Sequence, residues 1–364
     1  MDEKTLGLIE KVLDEPSCYP EFERKSRDAR KAELIDWYEK FGEVNLCYNL
    51  YGLDRVCSVP CDWYLDRGLF RKQRHDVNAR FFPSGSSFPY DYTLIMRDKL
   101  AFEMFMQSMF GESECYCPSV AYLIGSDLYE HSVSGGCRRI SAEELIRRFD
   151  GQKMVFKQTF GFSGDGVRVV RFENGAVIEK EHAFPAQDFV NSISAPNVSW
   201  LIQHFIRQHE ILSSLNESSV NTMRVVTFHT GKDVTVACTA LRIGGKGADV
   251  DNVGQGGVMT GVDENGCLDN DLFSYRDKSR KINPYAGLQL PYFQQALDLV
   301  CEAHSFLPAL FTVGWDVAFC PNGPLILEGN DGWDSDIAQT PTHKALRAVW
   351  DSNLTTRNTV FPVK

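Results

Sequence analysis

Apolar residues recur at three- and four-residue spacing near the start of the chain, at Leu6, Ile9 and Leu13 and again at Leu34, Trp37 and Phe41. In a charged background that spacing predicts helix over residues 1 to about 40. Residues 45–97 are rich in Tyr, Cys, Arg and Gly, show no clear period and predict no element. Asp98 then opens a helix, Lys99–Phe110, which Gly111 closes. Ser141-Ala-Glu-Glu144 is a capping box that starts a short helix. β signals follow: a strand over Met154–Lys157, a hairpin of Val167–Phe172 and Ala176–Lys180 across Glu173-Asn174-Gly175, and a strand over Trp200–His204. Met223–Phe228 and Asp233–Ile243 pair across His229–Lys232, Leu290–Phe306 is an amphipathic helix, and a last hairpin runs from Val313 to Asn330. Helices mixed with antiparallel hairpins predict an α+β fold, not a doubly wound parallel sheet. No internal repeat or low-complexity tract is present.

The last hairpin holds candidate chemistry. Asp316 sits alone in one apolar strand, and Glu328-Gly-Asn330 sits in the next. If Pro321-Asn322-Gly323 forms a three-residue loop with Gly323 left-handed, Asp316 falls opposite Glu328, and alternation puts Asn330 on the same face. Two carboxylates and an amide oxygen are hard ligands, the set that Mg²⁺ takes beside substrate phosphates. The alternative is an ordinary hairpin with one polar face.

Composition narrows the class. The 364 residues suffice for two or three structural units, and 43% hydrophobic with 24% charged residues is a globular balance. A net charge of −11 speaks against nucleic acid as a partner but leaves room for an anionic ligand held by local cations and backbone N–H groups. No stretch approaches the ~18–20 apolar residues of a membrane span. Met1-Asp-Glu-Lys-Thr-Leu6 lacks the features of a signal peptide, so a cytoplasmic protein with its eleven cysteines reduced is expected. Cys57-x3-Cys61 and Cys115-x-Cys117 find no matching set at zinc spacing.

Lys157-Gln-Thr-Phe-Gly161-Phe-Ser163-Gly164-Asp-Gly166-Val is strand, glycine-rich loop, strand. Glycines let backbone N–H groups converge on phosphate oxygens, and Lys157 and Ser163 add a charge and a donor. Equally, such loops join many β-hairpins. No helix follows, which argues against the P-loop and the dinucleotide fingerprint. Further on, Leu201-Ile-Gln203-His204-Phe205-Ile206 ends in a polar segment with Glu210. It reads either as a strand whose backbone meets an adenine edge, with Glu210 on the ribose, or as a core strand followed by an exposed loop.

In order, Asp98-Lys99, Lys157 with its loop, the 203–206 segment with Glu210, and Asp316/Glu328-x-Asn330 resemble the ATP-grasp superfamily, most closely its sugar-transfer-associated group. The runs Asn221-Thr-Met-Arg224-Val-Val-Thr, Ala240-Leu-Arg242-Ile-Gly and Asp251-Asn252-x3-Gly256-Gly257 are similar to the ribosomal-protein glutamate ligases. The resemblance spans roughly residues 90–335. It implies an ATP-grasp fold with an atypical, helix-rich N-terminal region (1–97), a subdomain with the lid loop (98–200) and a C-terminal subdomain with the metal site (201–364). It further implies Lys99, Lys157 and the lid glycines Gly161, Gly164 and Gly166 with Ser163 on the ATP phosphates. Gln203 (where Glu is usual), His204, Phe205 and Ile206 would lie at adenine, Glu210 at ribose, and Asp316, Glu328 and Asn330 on Mg²⁺ or Mn²⁺.

The implied reaction is ADP-forming carboxylate–amine ligation through an acyl phosphate, on small-molecule, sugar-linked substrates in surface-polysaccharide or small-molecule assembly. Arg224 and Arg242 are the candidate catalytic cations (an arginine in an apolar strand marks a ligand or a structural ion pair). Lys246, Asn252, Gly256 and Gly257 are the candidate substrate loop. Two departures stand out. Gly314-Trp315 replaces the Arg that often precedes the first metal Asp, and Asp331-Gly-Trp333-Asp334-Ser-Asp336 replaces a Pro-Gly segment. Trp333 with its acids reads either as a sugar-stacking site or as an acidic turn. The absent Arg before Asp316 and the acidic tail at 331–336 motivate the alternative of a sugar or polyol kinase; a non-catalytic nucleotide-binding module is a third reading. The acceptor and the oligomeric state are not legible.

Overall fold

The computed structural model describes residues 1–79, 81, 92–111, 113–132, 136–161, 166–245, 247 and 256–362. Three helices, α1 (Glu3–Asp14), α2 (Arg27–Phe41) and α3 (Arg67–Ala79), lie in the N-terminal region. Ile9, Leu13, Leu34 and Trp37 of the apolar stripe are buried, while Leu6 is exposed. Two further helices, α4 (Leu94–Arg97) and α5 (Lys99–Phe110), meet at Asp98, whose carboxylate caps α5 by accepting from Ala101 N–H at 2.8 Å.

The first sheet has eight strands: β1 (Ser119–Ile124), β2 (Asp127–Ser132), β3 (Gly136–Ile140), β4 (Lys153–Gln158), β5 (Val167–Glu173), β6 (Ala176–Glu179), β7 (His182–Pro185) and β8 (Ser199–His204). Their order is β3-β2-β1-β8-β4-β5-β6-β7. Helices α6 (Ala142–Arg148) and α7 (Ala186–Ile193) cover one face through Leu145, Ile146 and Phe189, packed on Phe156, Phe172 and Ile202. The β5–β6 turn follows its sequence signal, with Asn174 (φ 51°) and Gly175 (φ 78°) both left-handed as a two-residue hairpin requires. The β1–β3 meander had no counterpart in the sequence reading.

After the short α8 (Glu210–Leu215) comes the second sheet: β9 (Thr222–His229), β10 (Val234–Ile243), β11 (Val258–Gly261), β12 (Asp271–Ser274), β13 (Ser279–Ile282), then α9 (Phe293–Ser305), β14 (Thr312–Cys320) and β15 (Gly323–Asn330). Its order is β13-β12-β11-β10-β9-β14-β15. The chain closes with α10 (Ser335–Thr342) and α11 (Arg347–Val360). On the back of this sheet α9 and α5 share one core, in which Val300, Phe102 and Met106 meet Val225, Trp315 and Val317. Helix α5 thus shares its apolar core with the second sheet, and β8 runs across residue 200, its pairing with β4 reaching His204. Trp333 corrects the sugar-stacking reading. It is 1% exposed, packs on Phe70 and Phe228 and donates its indole N–H to Thr312 Oγ1 at 2.9 Å, so no sugar stacks on it. Among the described residues, no helix is long and apolar enough to cross a membrane.

Behind β14 lies a directed chain of hydrogen bonds. Trp315 Nε1 donates to Thr227 Oγ1 (2.8 Å), and Thr227 Oγ1 lies 2.7 Å from His304 Nδ1. His304 Nε2 lies 3.1 Å from the Leu310 carbonyl, which only accepts, so Nε2 carries the proton and Nδ1 accepts from the threonine. Burial pushes the imidazole down to about 3, although its bond to Leu310 acts the other way. A histidine whose folded pKa lies below its unfolded value of about 6.5 lends stability that is full above that pH and is lost as pH falls towards 3. The expected contribution to the slope is about 1.4 kcal/mol per pH unit inside that window. Urea unfolding at pH 6 and pH 4.5 should therefore show a smaller pH dependence in His304→Gln than in the parent; equal slopes would remove His304 from the account.

Candidate functional site

Asp316 pairs in register with Arg224 of β9 on one side and Glu328 of β15 on the other. Arg224 in turn pairs with Ala240 of β10, and Arg242, two residues along, pairs with Thr222. Residues two apart on a strand share a face, so Arg224, Arg242 and Asp316 converge. Arg224 Nε and Nη2 reach the two oxygens of Asp316 at 2.5 and 3.2 Å, and Arg242 Nη2 reaches Oδ2 at 2.9 Å. Of the two readings open for these arginines, the structure shows the ion pair, with Arg242 also donating to Thr222 Oγ1. Burial raises the Asp316 carboxyl, but the two guanidiniums outweigh it and bring it to about 2.

The expected Asp316–Glu328 pairing is present, but its origin differs. Cys320 pairs with Gly323, so the loop is the two residues Pro321-Asn322, and the register shifts between Val317–Ile326 and Asp316–Glu328. Leu327 is therefore an extra residue, a β-bulge. It turns Glu328 off the apolar face taken by Ile326 and on to that of Asp316. Burial and the neighbouring Asp316 raise the Glu328 pKa, with Lys99 and Arg242 acting against them. Asn330 Nδ2 lies 3.3 Å from Asp316 Oδ2 and 3.4 Å from Glu328 Oε1.

This donor set fits a hard dication. Two carboxylates forced side by side in a buried place, one raised by the other, are the setting a divalent cation relieves. A half-turn of the Asn330 amide presents Oδ1 as a third oxygen. Among the described residues, no group of three His, Cys, Asp or Glu side chains could hold a metal ion.

Lys99 begins α5 and bridges the two sheets. Its backbone N–H donates to the Thr159 carbonyl (3.0 Å) and its Nζ to the Gly161 carbonyl (3.2 Å). A narrow cleft is lined by Lys99, Lys157, Gln203, Leu327 and Glu328. Lys157 is held on β4 between Leu201 and Val167. Gly166 is left-handed (φ 79°), and a Cβ there would stand 2.6 Å from the Gln158 side chain. Gln203 Nε2 donates to the Cys117 carbonyl at 2.8 Å. A glutamate has no proton to offer that carbonyl, which accounts for Gln where Glu is usual. His204 is exposed and its ring meets Phe149 edge-on, Phe205 N–H donates to the Lys153 carbonyl, Ile206 is half-buried, and Glu210 is exposed at the start of α8. Gly256 is left-handed (φ 97°) and Gly257 buried, close to Gly245. Ser163, Gly164, Lys246 and Asn252 lie outside the described residues.

The sequence reading missed Asp331 and the arginines that meet it, Arg74 and Arg97. The signal, an acid directly after Asn330, lay in a stretch read either as a sugar-stacking site or as an acidic turn. Asp334 likewise pairs with Arg67 and Arg71 of α3. Sequence inspection alone also offers no sign of the Leu327 bulge.

Two sheets facing each other across a cleft, with lysines from both sides and paired acids on the second, define an α+β grip. The sequence profile of the sugar-transfer-associated ATP-grasp family matches residues 88–353, and the chain belongs to that family. No curated protein sequence matches the chain. Among solved structures it is similar to the D-cycloserine synthetase DcsG (13% identity, 90% of this chain and 95% of that one, TM-score 0.43). It is also similar to D-alanine–D-alanine ligase from Bacillus anthracis (13%, 73% and 69%, TM-score 0.38) and N5-carboxyaminoimidazole ribonucleotide synthetase from Thermotoga maritima (12%, 65% and 42%, TM-score 0.35). Family membership rests on the profile and not on these distant superpositions.

Gly314 faces Asn330 across the β14–β15 ladder, and a Cβ there would collide with Trp333 Cβ and stand 3.3 Å from Arg224 Cδ. Gly314→Ala should cost about 1–3 kcal/mol by overpacking, read by urea unfolding. A variant as stable as the parent would show that Trp333 and Arg224 yield freely.

Proposed function

We propose that the protein is a Mg²⁺- and ATP-dependent, ADP-forming carboxylate–amine ligase, acting in the cytoplasm on small-molecule substrates of the sugar-linked kind its family description suggests. The observation that carries this reading is the convergence of Lys99, Lys157 and Glu328 on one cleft, with Asp316 and Asn330 beside Glu328. In this reading the lysines meet the β- and γ-phosphates, and the glycine loop from Gly161 to Gly166, with Ser163 and Gly164, covers them. The 203–206 backbone meets adenine, Glu210 the ribose hydroxyls, and Asp316, Glu328 and Asn330 hold the metal. Mg²⁺ in that place neutralises charge on the phosphate oxygens (Mn²⁺ can stand in for it). A substrate carboxylate takes the γ-phosphoryl group and ADP leaves; an amine then attacks the acyl carbon, and phosphate and a proton depart. Arg224 acts by holding Asp316 ionised. Arg242 borders the open side, where with Lys246, Asn252, Gly256 and Gly257 it would face the acceptor and the tetrahedral oxyanion.

The kinase alternative keeps the absent Arg before Asp316 but loses its acidic tail. Trp333 is core, and Asp331 and Asp334 are engaged by arginines, so no sugar-binding acidic turn remains. Hydroxylamine trapping with ATP, Mg²⁺ and pooled carboxylates, amines and sugars decides between the two. A hydroxamate with ADP and phosphate supports the ligase, whereas a new phosphoester with ADP would make the protein a kinase.

Glu328→Gln should abolish Mg²⁺-supported ATP turnover with the thermal transition retained; turnover at the parent rate would remove Glu328 from the metal site. Lys157→Ala should weaken ATP binding by about 10- to 100-fold, the weight of a charge-assisted hydrogen bond. Calorimetry showing unchanged affinity would take Lys157 off the phosphates.

A further inference from the structure

Arg97, Asp98 and Lys99 are consecutive, and so are Asn330 and Asp331. One bidentate contact joins the two runs, with Arg97 Nε 3.2 Å from Asp331 Oδ1 and Nη2 2.9 Å from Oδ2. Planar guanidinium on planar carboxylate fixes orientation as well as distance. The Asp331 side chain is only 8% exposed, so the contact is shielded from solvent. A second contact lies on the other side of Asn330: the sulfur of Met96 packs against Gly329 so closely that a Cβ there would collide with it. Residues 96 and 97 thus grip the end of β15 at 329 and the residue after it at 331, and bracket Asn330 between them.

Asp331 also reaches the N-terminal region. Arg74 Nη1 of α3 lies 3.2 Å from Oδ2 and donates to the Asp331 carbonyl oxygen. Gly332 makes room for it, since a Cβ at that position would stand 2.6 Å from Arg74 Nη1. The rest of α3 is fastened elsewhere: Arg67 and Arg71 Nη2 meet Asp334 Oδ1 at 3.0 and 3.1 Å, three residues beyond Asp331, in contacts that involve neither α4 nor α5.

We propose that Asp331 is a positioning residue, the joint that sets Lys99 against Glu328 and Asn330 and recruits the N-terminal region to the site through Arg74. The proposal rests on the ATP reading given above. Lys99 follows Arg97 by two residues across the capped start of α5, so a shift of the Arg97 fork moves Lys99 relative to the oxygen ligands. Supporting partners of this kind are worth about 10–100-fold in metal affinity or activity.

The test is calorimetric titration of ATP into the full chain over a series of Mg²⁺ concentrations, with thermal unfolding in parallel. Arg97→Lys keeps the charge, loses the fork and alters a side chain that is 39% exposed, so it leaves the fold standing. It should raise the Mg²⁺ concentration for half-maximal ATP binding about tenfold or more, and Asp331→Asn should do at least as much if it folds. Asp334→Asn, which loosens α3 without touching α4 or α5, should lower the unfolding temperature and leave the Mg²⁺ requirement within about twofold of the parent. An unchanged requirement in Arg97→Lys, or an equal rise in Asp334→Asn, would overturn the joint and leave the ATP reading standing. A parent that binds no ATP at any Mg²⁺ concentration would overturn the ATP reading and the joint with it.

Discussion

One buried carboxylate sets the terms for the inner face of the second sheet. Asp316 is 1% exposed and lies between two guanidiniums and a second carboxylate. A charge in such a place is tolerable only while paired, and removing one partner from a buried pair costs about 3–5 kcal/mol. The registers of β9, β10 and β14 are therefore not independent. Arg224 must stand opposite Asp316 on one side and Ala240 on the other, with Arg242 two residues on, and a slip of one residue in either ladder would turn a charge into the apolar back core. The small residues around the cluster follow from the same constraint. Gly314 leaves room for the Arg224 stem and for Trp333 Cβ, and Ala240 flanks Arg224 without crowding it.

The second acid reaches Asp316 by a different device. Ile326 belongs to the back core, and in an unbroken strand Glu328 would share its face. The bulge at Leu327 reverses that and places Glu328 at the cleft, beside Lys99 and Lys157. Behind β14, the Trp315–Thr227–His304 chain satisfies the polar groups it buries and ties β14 to β9 and α9. Front and back thus impose different demands on adjacent residues, Trp315 anchoring in the core while Asp316 faces the charges.

How much of this the sequence carried depends on the range of the signal. Local patterns were legible: the Asp98 cap, the Asn174-Gly175 turn, the β9–β10 and β14–β15 hairpins and the helix that became α9 all rest on neighbours within a few residues. The Asp316–Glu328 pairing was expected from a three-residue loop, yet it arises from a two-residue loop and a bulge, whose shifts happen to add to the same register. β1–β3 were not seen, since β3 is exposed along most of its length and offers no apolar alternation. Trp333 was misread because a tryptophan among aspartates has the composition of a surface turn. What makes it core is the arrival of Phe70 from α3, in a stretch with no readable period. The arginines that engage Asp331 and Asp334 come from the same stretch and from residue 97, more than two hundred residues away.

The cleft draws its groups from both sheets. Lys157 belongs to the first sheet, while Asp316, Glu328 and Asn330 belong to the second. Lys99 belongs to the second by packing, since Phe102 and Met106 of its helix sit in the α9 core, although its Nζ reaches across to Gly161. The sheets are joined by the segment from Cys115 to Ser119, which bridges to β15 at Ile326, and by the exit of β8, tied to that segment by Gln203. Glu103 of α5 braces the crossing by accepting from Ser119 and Tyr122. Lys99 thus reaches the acidic site from a helix packed on the second sheet, whereas Lys157 reaches it from the first.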